Sequence, residues 1–207
     1  MNIMDIEKTW ECMEAAWKAE ADAVAALGGA VDKEALLAVT ELIFNCKGKI
    51  IFSGCGTSGV AARKAVHTLN CVGASSTFIS PSDALHGGLG ILRSGDVLVL
   101  LSKGGQSSEI NAFIEPCKKS GATLVAVTEH KNSVLGAAAD HLLILVTEQE
   151  TKPWPLATTS ILKVIAVFDA IAQAIALHKN QDQREFYHIH PGGAVGKALS
   201  PDSNPRI

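Results

Sequence analysis

The sequence predicts an α/β protein built on a doubly wound, five-stranded parallel sheet with extra amino-terminal helices. Three observations predict it. Apolar strings of strand length recur five times, helix-like stretches separate them, and several strings are apolar without alternation, as expected of strands covered on both faces. Strand–helix–strand repetition in one sheet calls for right-handed parallel crossovers. With 207 residues, 47% hydrophobic and 19% charged, one core of ordinary size can be filled. The whole chain, 1–207, is therefore expected to form one domain, with helices over 1–46 and the sheet with its crossovers over 47–200.

In chain order, two helices are expected at 6–27 and 32–44, parted by Gly28-Gly29. The strands fall at 49–53, 77–80, 97–101, 124–128 and 142–146, with helices at 58–70, 107–120 and, briefly, 133–138. A long helix over 159–178 is apolar on most sides, which marks it as a core helix or as one buried between subunits. Residues 201–207 read as an unstructured tail. No internal repeat or low-complexity tract interrupts this order.

Composition excludes several classes. A net charge of −3 and a pI near 6.1 argue against a nucleic-acid surface, which needs a basic excess. Five scattered cysteines without CxxC or CxxH spacing fit reduced cytoplasmic thiols, not a disulfide framework or a zinc site. The acidic first residues lack a signal-peptide core, and the longest apolar strings are strand-sized, so a soluble chain with no membrane partner is expected.

The loops that leave the strands hold the chemistry, because ligands of an open parallel sheet sit beyond the carboxyl ends of its strands. Gly54-Cys55-Gly56-Thr57-Ser58-Gly59 matches GxGxxG, yet the second strand ends Ser80-Pro81 without the acid that would hold a ribose, so no nicotinamide cofactor is expected. The alternatives are an ordinary tight turn with Ser58 as N-cap, or a phosphate cradle in which Gly56, Thr57 and Ser58 present N–H and O–H donors at a helix start. The loop Ser102-Lys103-Gly104-Gly105-Gln106-Ser107 repeats the pattern one strand away, with Lys103 able to neutralise charge. Two such loops side by side suit a phosphomonoester. His86 stands in a glycine-rich stretch after the second strand, and Glu148-Gln149-Glu150 follow the fifth. His188 and His190 frame a glycine-rich turn, but no third ligand joins them at metal spacing, so no metal is expected.

Taken together, these motifs resemble the SIS (sugar isomerase) family, most closely its arabinose-5-phosphate isomerase branch. The resemblance runs from about Gly54 to Leu199. It rests on the GxGxSG loop, the string Ser82-Asp83-Ala84-Leu85-His86-Gly87-Gly88-Leu89-Gly90, Ser107-Ser108-Glu109, Thr158-Thr159-Ser160 and His190-Pro191-Gly192-Gly193. It implies a flavodoxin-like SIS fold and aldose–ketose isomerisation of a phosphosugar through an enediol, without a cofactor. It further implies Glu109, Glu150, His86 and His190 at the reaction centre, and a homodimer or homotetramer whose subunits share active sites. The chain departs from the branch at Thr57, where a lysine is usual, and at Lys103-Gly104-Gly105-Gln106, where Asn-Ser-Gly-Glu is usual. The segment 152–156 also differs, and no paired CBS modules stand in these residues, so nucleotide control through them is not expected. The departures leave a second reading open: a non-catalytic phosphosugar sensor.

Overall fold

The structure, a computed structural model, describes residues 4–179 and 187–199. Five strands, Ile50–Gly54 (β1), Ser76–Phe78 (β2), Val97–Leu101 (β3), Thr123–Thr128 (β4) and His141–Ile144 (β5), form one all-parallel sheet in the order β2-β1-β3-β4-β5. The central strands β1 and β3 are buried at every position, which explains their unbroken apolar sequence.

Alternate residues of each strand feed two cores. On one face Ile50, Phe52, Val97, Val99, Val125 and Val127 pack against Lys33–Asn45 (α3), Gly56–Cys71 (α4) and Thr159–Lys179 (α9). Phe52 meets Phe168 of α9 edge to face, ring centres 5.1 Å apart. On the other face Ile51, Leu98, Leu100, Leu124 and Ala126 pack against Ser108–Asn111 (α6), Ile114–Ser120 (α7) and Val134–Ala138 (α8). The doubly wound sheet expected from sequence is thus present.

The elements differ from expectation in instructive ways. The helix expected over 107–120 is broken into α6 and α7. Pro116 has no N–H to give the carbonyl of Ala112, and its ring crowds that carbonyl. The helix after β1 starts at Gly56, with Cys55 and not Ser58 in the N-cap position. Pro81–Leu85 (α5) and a 3₁₀ turn at Gly88–Ile91 fill the stretch around His86, where sequence reading placed only a loop. The Gly28-Gly29 break lies inside a short helical turn, Leu27–Ala30 (α2), that follows Ile6–Ala25 (α1). The expected tail at 201–207 lies outside the described residues.

Helix α9 corrects the expectation that apolar strings are only strand-sized. Its 21 residues are long and apolar enough to cross a membrane by length and composition alone. In the fold, Val167, Phe168, Ile171, Ala172 and Ile175 are buried against the sheet and α4. It is a core helix on that face. Helix α1 lies along α9 yet buries no side chain of its own, and Trp10 (54% exposed) and Trp17 (55%) stay open to solvent. The carboxy-terminal described element is Gly193–Leu199 (α10).

Candidate active site

The connections reverse direction between β1 and β3: β1 leads out to β2 on one side, β3 to β4 on the other. The crevice at that switch point is where an open α/β sheet takes its ligand, and both hydroxyl-rich loops enter it. The first is a tight strand-to-helix turn. A Cβ on Gly59 would stand 2.6 Å from the Gly54 carbonyl oxygen, so helix and strand approach only because that residue is glycine. This packing accounts for two of the three glycines of the fingerprint with no dinucleotide involved. Gly56, with φ +55°, opens α4 in a left-handed conformation.

Two cavities flank these loops. The larger, about 570 Å³, is lined by the Gly54–Gly56 backbone, Arg63, Ser80, Ser82, His86 and Glu109. His86 follows the last turn of α5 and Glu109 is in the first turn of α6. The carboxylate of Glu109 accepts a hydrogen bond from Ser108 Oγ at 3.0 Å. Its own backbone N–H, and then the Ser108 hydroxyl, hold it below the usual glutamate range. Glu109 also helps burial to push the Cys55 thiol up, so the carboxylate is electrostatically coupled to the first loop.

The smaller cavity, about 30 Å³, has room for about one or two waters. Ser58, Ser102, Lys103, Thr128, Glu129 and Ser160 line it. Ser102 Oγ lies 3.2 Å from Ser107 Oγ. The hydroxyl of Ser160 is buried here, and Leu101, Val127, Leu145, Ile161 and Val164 complete the lining.

Of the residues proposed from sequence, the structure brings Glu109 and His86 to one cavity, and Ser58, Ser102 and Lys103 to its smaller neighbour, with Ser107 beside Ser102. Thr57 is exposed and lines neither cavity. Lys103 is already engaged: its ammonium sits 2.5 Å from Glu150 Oε1 and 3.8 Å from Glu129 Oε1. Glu150 also accepts the Ser160 N–H at 3.2 Å, at the start of α9. Burial would push the Glu150 carboxyl up, but Lys103 and Ser160 outweigh it and hold it below the usual range. His190 is not at this edge of the sheet. Its Nε2 lies 3.2 Å from the sulfur of Cys71, the last residue of α4.

Sequence reasoning missed Arg63, and it met Ser160 only within the Thr158-Thr159-Ser160 string. The guanidinium of Arg63 lies over the Phe78 ring, 3.8 Å from its centre, and faces the larger cavity. The signal was present: Gly56, Gly59 and Arg63 are spaced three and four apart, hence on one face of α4. Among the described residues no group of three or more His, Cys, Asp or Glu could hold a metal ion.

Comparison with known proteins agrees with this fold. The SIS domain family model matches residues 42–174. The chain is 40% identical, over 78% of its length, to the arabinose 5-phosphate isomerase KpsF of Escherichia coli, and covers 51% of that protein. It spans about half the length of the curated relatives it matches. A candidate sugar-phosphate isomerase from Listeria monocytogenes superposes with a TM-score of 0.89 at 41% identity, covering 92% of this chain and 100% of that one. The c3406 protein of E. coli CFT073, solved in complex with arabinose 5-phosphate, superposes at 0.85 with 28% identity, covering 91% and 100%.

Proposed function

This chain belongs to the SIS domain family, and from that membership we propose that it is a phosphosugar aldose–ketose isomerase, with arabinose 5-phosphate or a related sugar phosphate as substrate. The observation that carries the proposal is the meeting of Glu109 and His86 in one cavity beside the Gly54–Gly59 turn. A sensor needs donors for phosphate but no proton-transfer groups. The matched isomerases, of which this chain spans half, and the sugar-phosphate complex of the E. coli CFT073 relative support the same substrate class.

In this reading Ser58, Ser102 and Ser107, with the Gly56 backbone, hold the phosphate, and Arg63 and His86 face the sugar. A carboxylate, Glu109 or Glu150, removes the proton from C2 of the open-chain aldose. The electron pair forms the C1–C2 double bond of an enediol, with an imidazole supplying the proton to the carbonyl oxygen. Return of a proton to C1 and loss of one from the C2 hydroxyl give the ketose, so no atom is gained or lost. Neither a metal nor an organic cofactor is required for that balance.

We further propose that the chain acts as one domain within a homodimer or homotetramer in the cytoplasm. His190 lies at the far end of α4 from its own Gly56 loop, so it reaches a reaction centre only in a neighbouring subunit. The exposed Trp10 and Trp17 of α1 offer apolar surface for such assembly. Five free cysteines suit a reducing compartment.

The test is incubation with a panel of pentose and hexose phosphates, read by NMR for aldose–ketose conversion. Conversion of one sugar phosphate is expected. Tight binding of a phosphosugar with no conversion of any would make the protein a sensor.

A further inference from the structure

The side chain of Lys103 stands between two anionic positions. Its backbone is pinned on both sides: its carbonyl accepts the Glu129 N–H at 2.9 Å and the Thr128 hydroxyl at 2.9 Å, while Ser102 N–H donates to Val127. Only the butylammonium arm, 42% exposed, is left to move. That arm now reaches Glu150, whose side chain is 9% exposed and whose other oxygen holds Ser160 N–H. The same lysine lines the nook of Ser58, Ser102, Thr128 and Ser160.

Few other charges face Glu150. Across Lys103 lies Glu129, which accepts the Thr147 N–H at 3.1 Å. From α9 comes the Ser160 N–H, while Lys163 of that helix is bound to the Val146 carbonyl. Beside Glu150, α1 contributes only Ala15, Ala16 and Ala19 to the cavity they share with Lys152. Lys103 is therefore the one cation among the described residues that is paired with this carboxylate.

We propose that Lys103 is a ligand-operated switch on Glu150: a phosphate docking at Ser58, Ser102 and Ser107 draws the ammonium to itself and releases the carboxylate as a stronger base. A phosphomonoester carries close to two negative charges near pH 7 against one on Glu150, so it competes for the lysine on favourable terms. Thr57 gives that loop no cation of its own. Before the ligand arrives Glu150 is ionised but weakly basic. Afterwards it has lost its counter-ion at the moment a proton must be taken. The inference rests on the phosphosugar reading above and adds to it a coupling between substrate binding and base strength.

The test is carboxyl NMR of the full chain carrying ¹³C-labelled glutamate, with the Glu150 signal assigned by its loss in Glu150→Gln. Titrations are run alone and with a pentitol 5-phosphate, which has no carbonyl to isomerise. The ligand should move the Glu150 titration upward, by about 1 pH unit, the scale expected when an opposite charge leaves a carboxylate. In Lys103→Met, with an unchanged melting temperature, the ligand-free Glu150 should already titrate high and respond less, while Lys103→Arg should keep the response. If the Ser102 and Ser107 amides shift on adding ligand while Glu150 does not, the switch is overturned and phosphate binding stands. If those amides do not shift either, the phosphosugar reading falls and the switch with it.

Discussion

Cys71 and His190 meet at the end of α4 opposite to Gly56, sulfur to Nε2 at 3.2 Å. That helix has 16 residues, and a rise of about 1.5 Å per residue puts roughly 22 Å between its ends. An imidazole so placed cannot serve the Gly56 loop of its own chain. Two inactive variants, His190→Ala and Glu109→Gln, should therefore recover activity when co-expressed, because some sites then draw an intact His190 from one chain and an intact Glu109 from the other. Activity of the mixture no higher than that of either parent would rule out donation of His190 across subunits.

The second loop depends on Gly105. Its φ is +63°, and a Cβ there would fall 2.0 Å from Ser133 Oγ. Ser133 cannot yield cheaply, since its hydroxyl caps α8 through Gly136 N–H at 3.1 Å and donates to the His130 carbonyl at 2.7 Å. Gly105→Ala should cost about 1–3 kcal/mol from overcrowding, before backbone strain is added. Gly104→Ala, where nothing stands within 4 Å, should be nearly neutral. Urea denaturation of the pair checks this, and equal midpoints would count against the loop geometry.

At the other end of the sheet, Asp96 anchors the entry to β3. It accepts from Lys49 N–H at 2.8 Å and Arg93 N–H at 2.9 Å and pairs with the Lys49 ammonium at 3.0 Å. Burial opposes its charge, but those donors outweigh burial and hold the carboxyl below its ordinary value. A depressed folded pKa gives stability that is complete above the unfolded value and is lost as pH falls through the folded one. Asp96→Asn should thus cost about 1.5–3 kcal/mol near neutral pH, the scale of hydrogen bonds to charged groups. The difference from wild type should shrink on acidification, as followed by melting temperature against pH.

The sheet was legible because β1 and β3 are buried on both faces, so their apolar runs carry no competing pattern. The two hydroxyl loops were legible because glycines set among serines at a strand-to-helix turn let the backbone come close to a neighbour or an anion. What escaped was pairing at long range. Lys103 and Glu150 are 47 residues apart, and nothing local in either loop says that the cation is engaged by the carboxylate. Arg63 and Phe78 meet through the packing of α4 on β2, a tertiary fact absent from either segment. The break between Asn111 and Ile114 was readable, since Pro116, four residues after Ala112, has no N–H to continue that turn.

Glu109 allows the sharpest reading of the chemistry, since its carboxylate faces the larger cavity with His86 and is held below the usual range by its own N–H and the Ser108 hydroxyl. A base with a lowered pKa is competent above that pKa and is lost as pH falls through it. The acid limb of kcat/KM, which reports the free enzyme, should therefore lie below the ordinary glutamate value. Ser108→Ala removes the hydroxyl's hydrogen bond from the carboxylate and should move that limb upward while leaving the plateau in place. Glu109→Gln should lower turnover by about 10²–10⁴-fold with little change in KM, the usual contribution of a positioned general base. Glu150→Gln tests the other carboxylate in the same assay. A loss confined to one variant identifies the group that takes the carbon-bound proton. Full turnover in both variants would remove proton abstraction by either glutamate, and with it the enediol route.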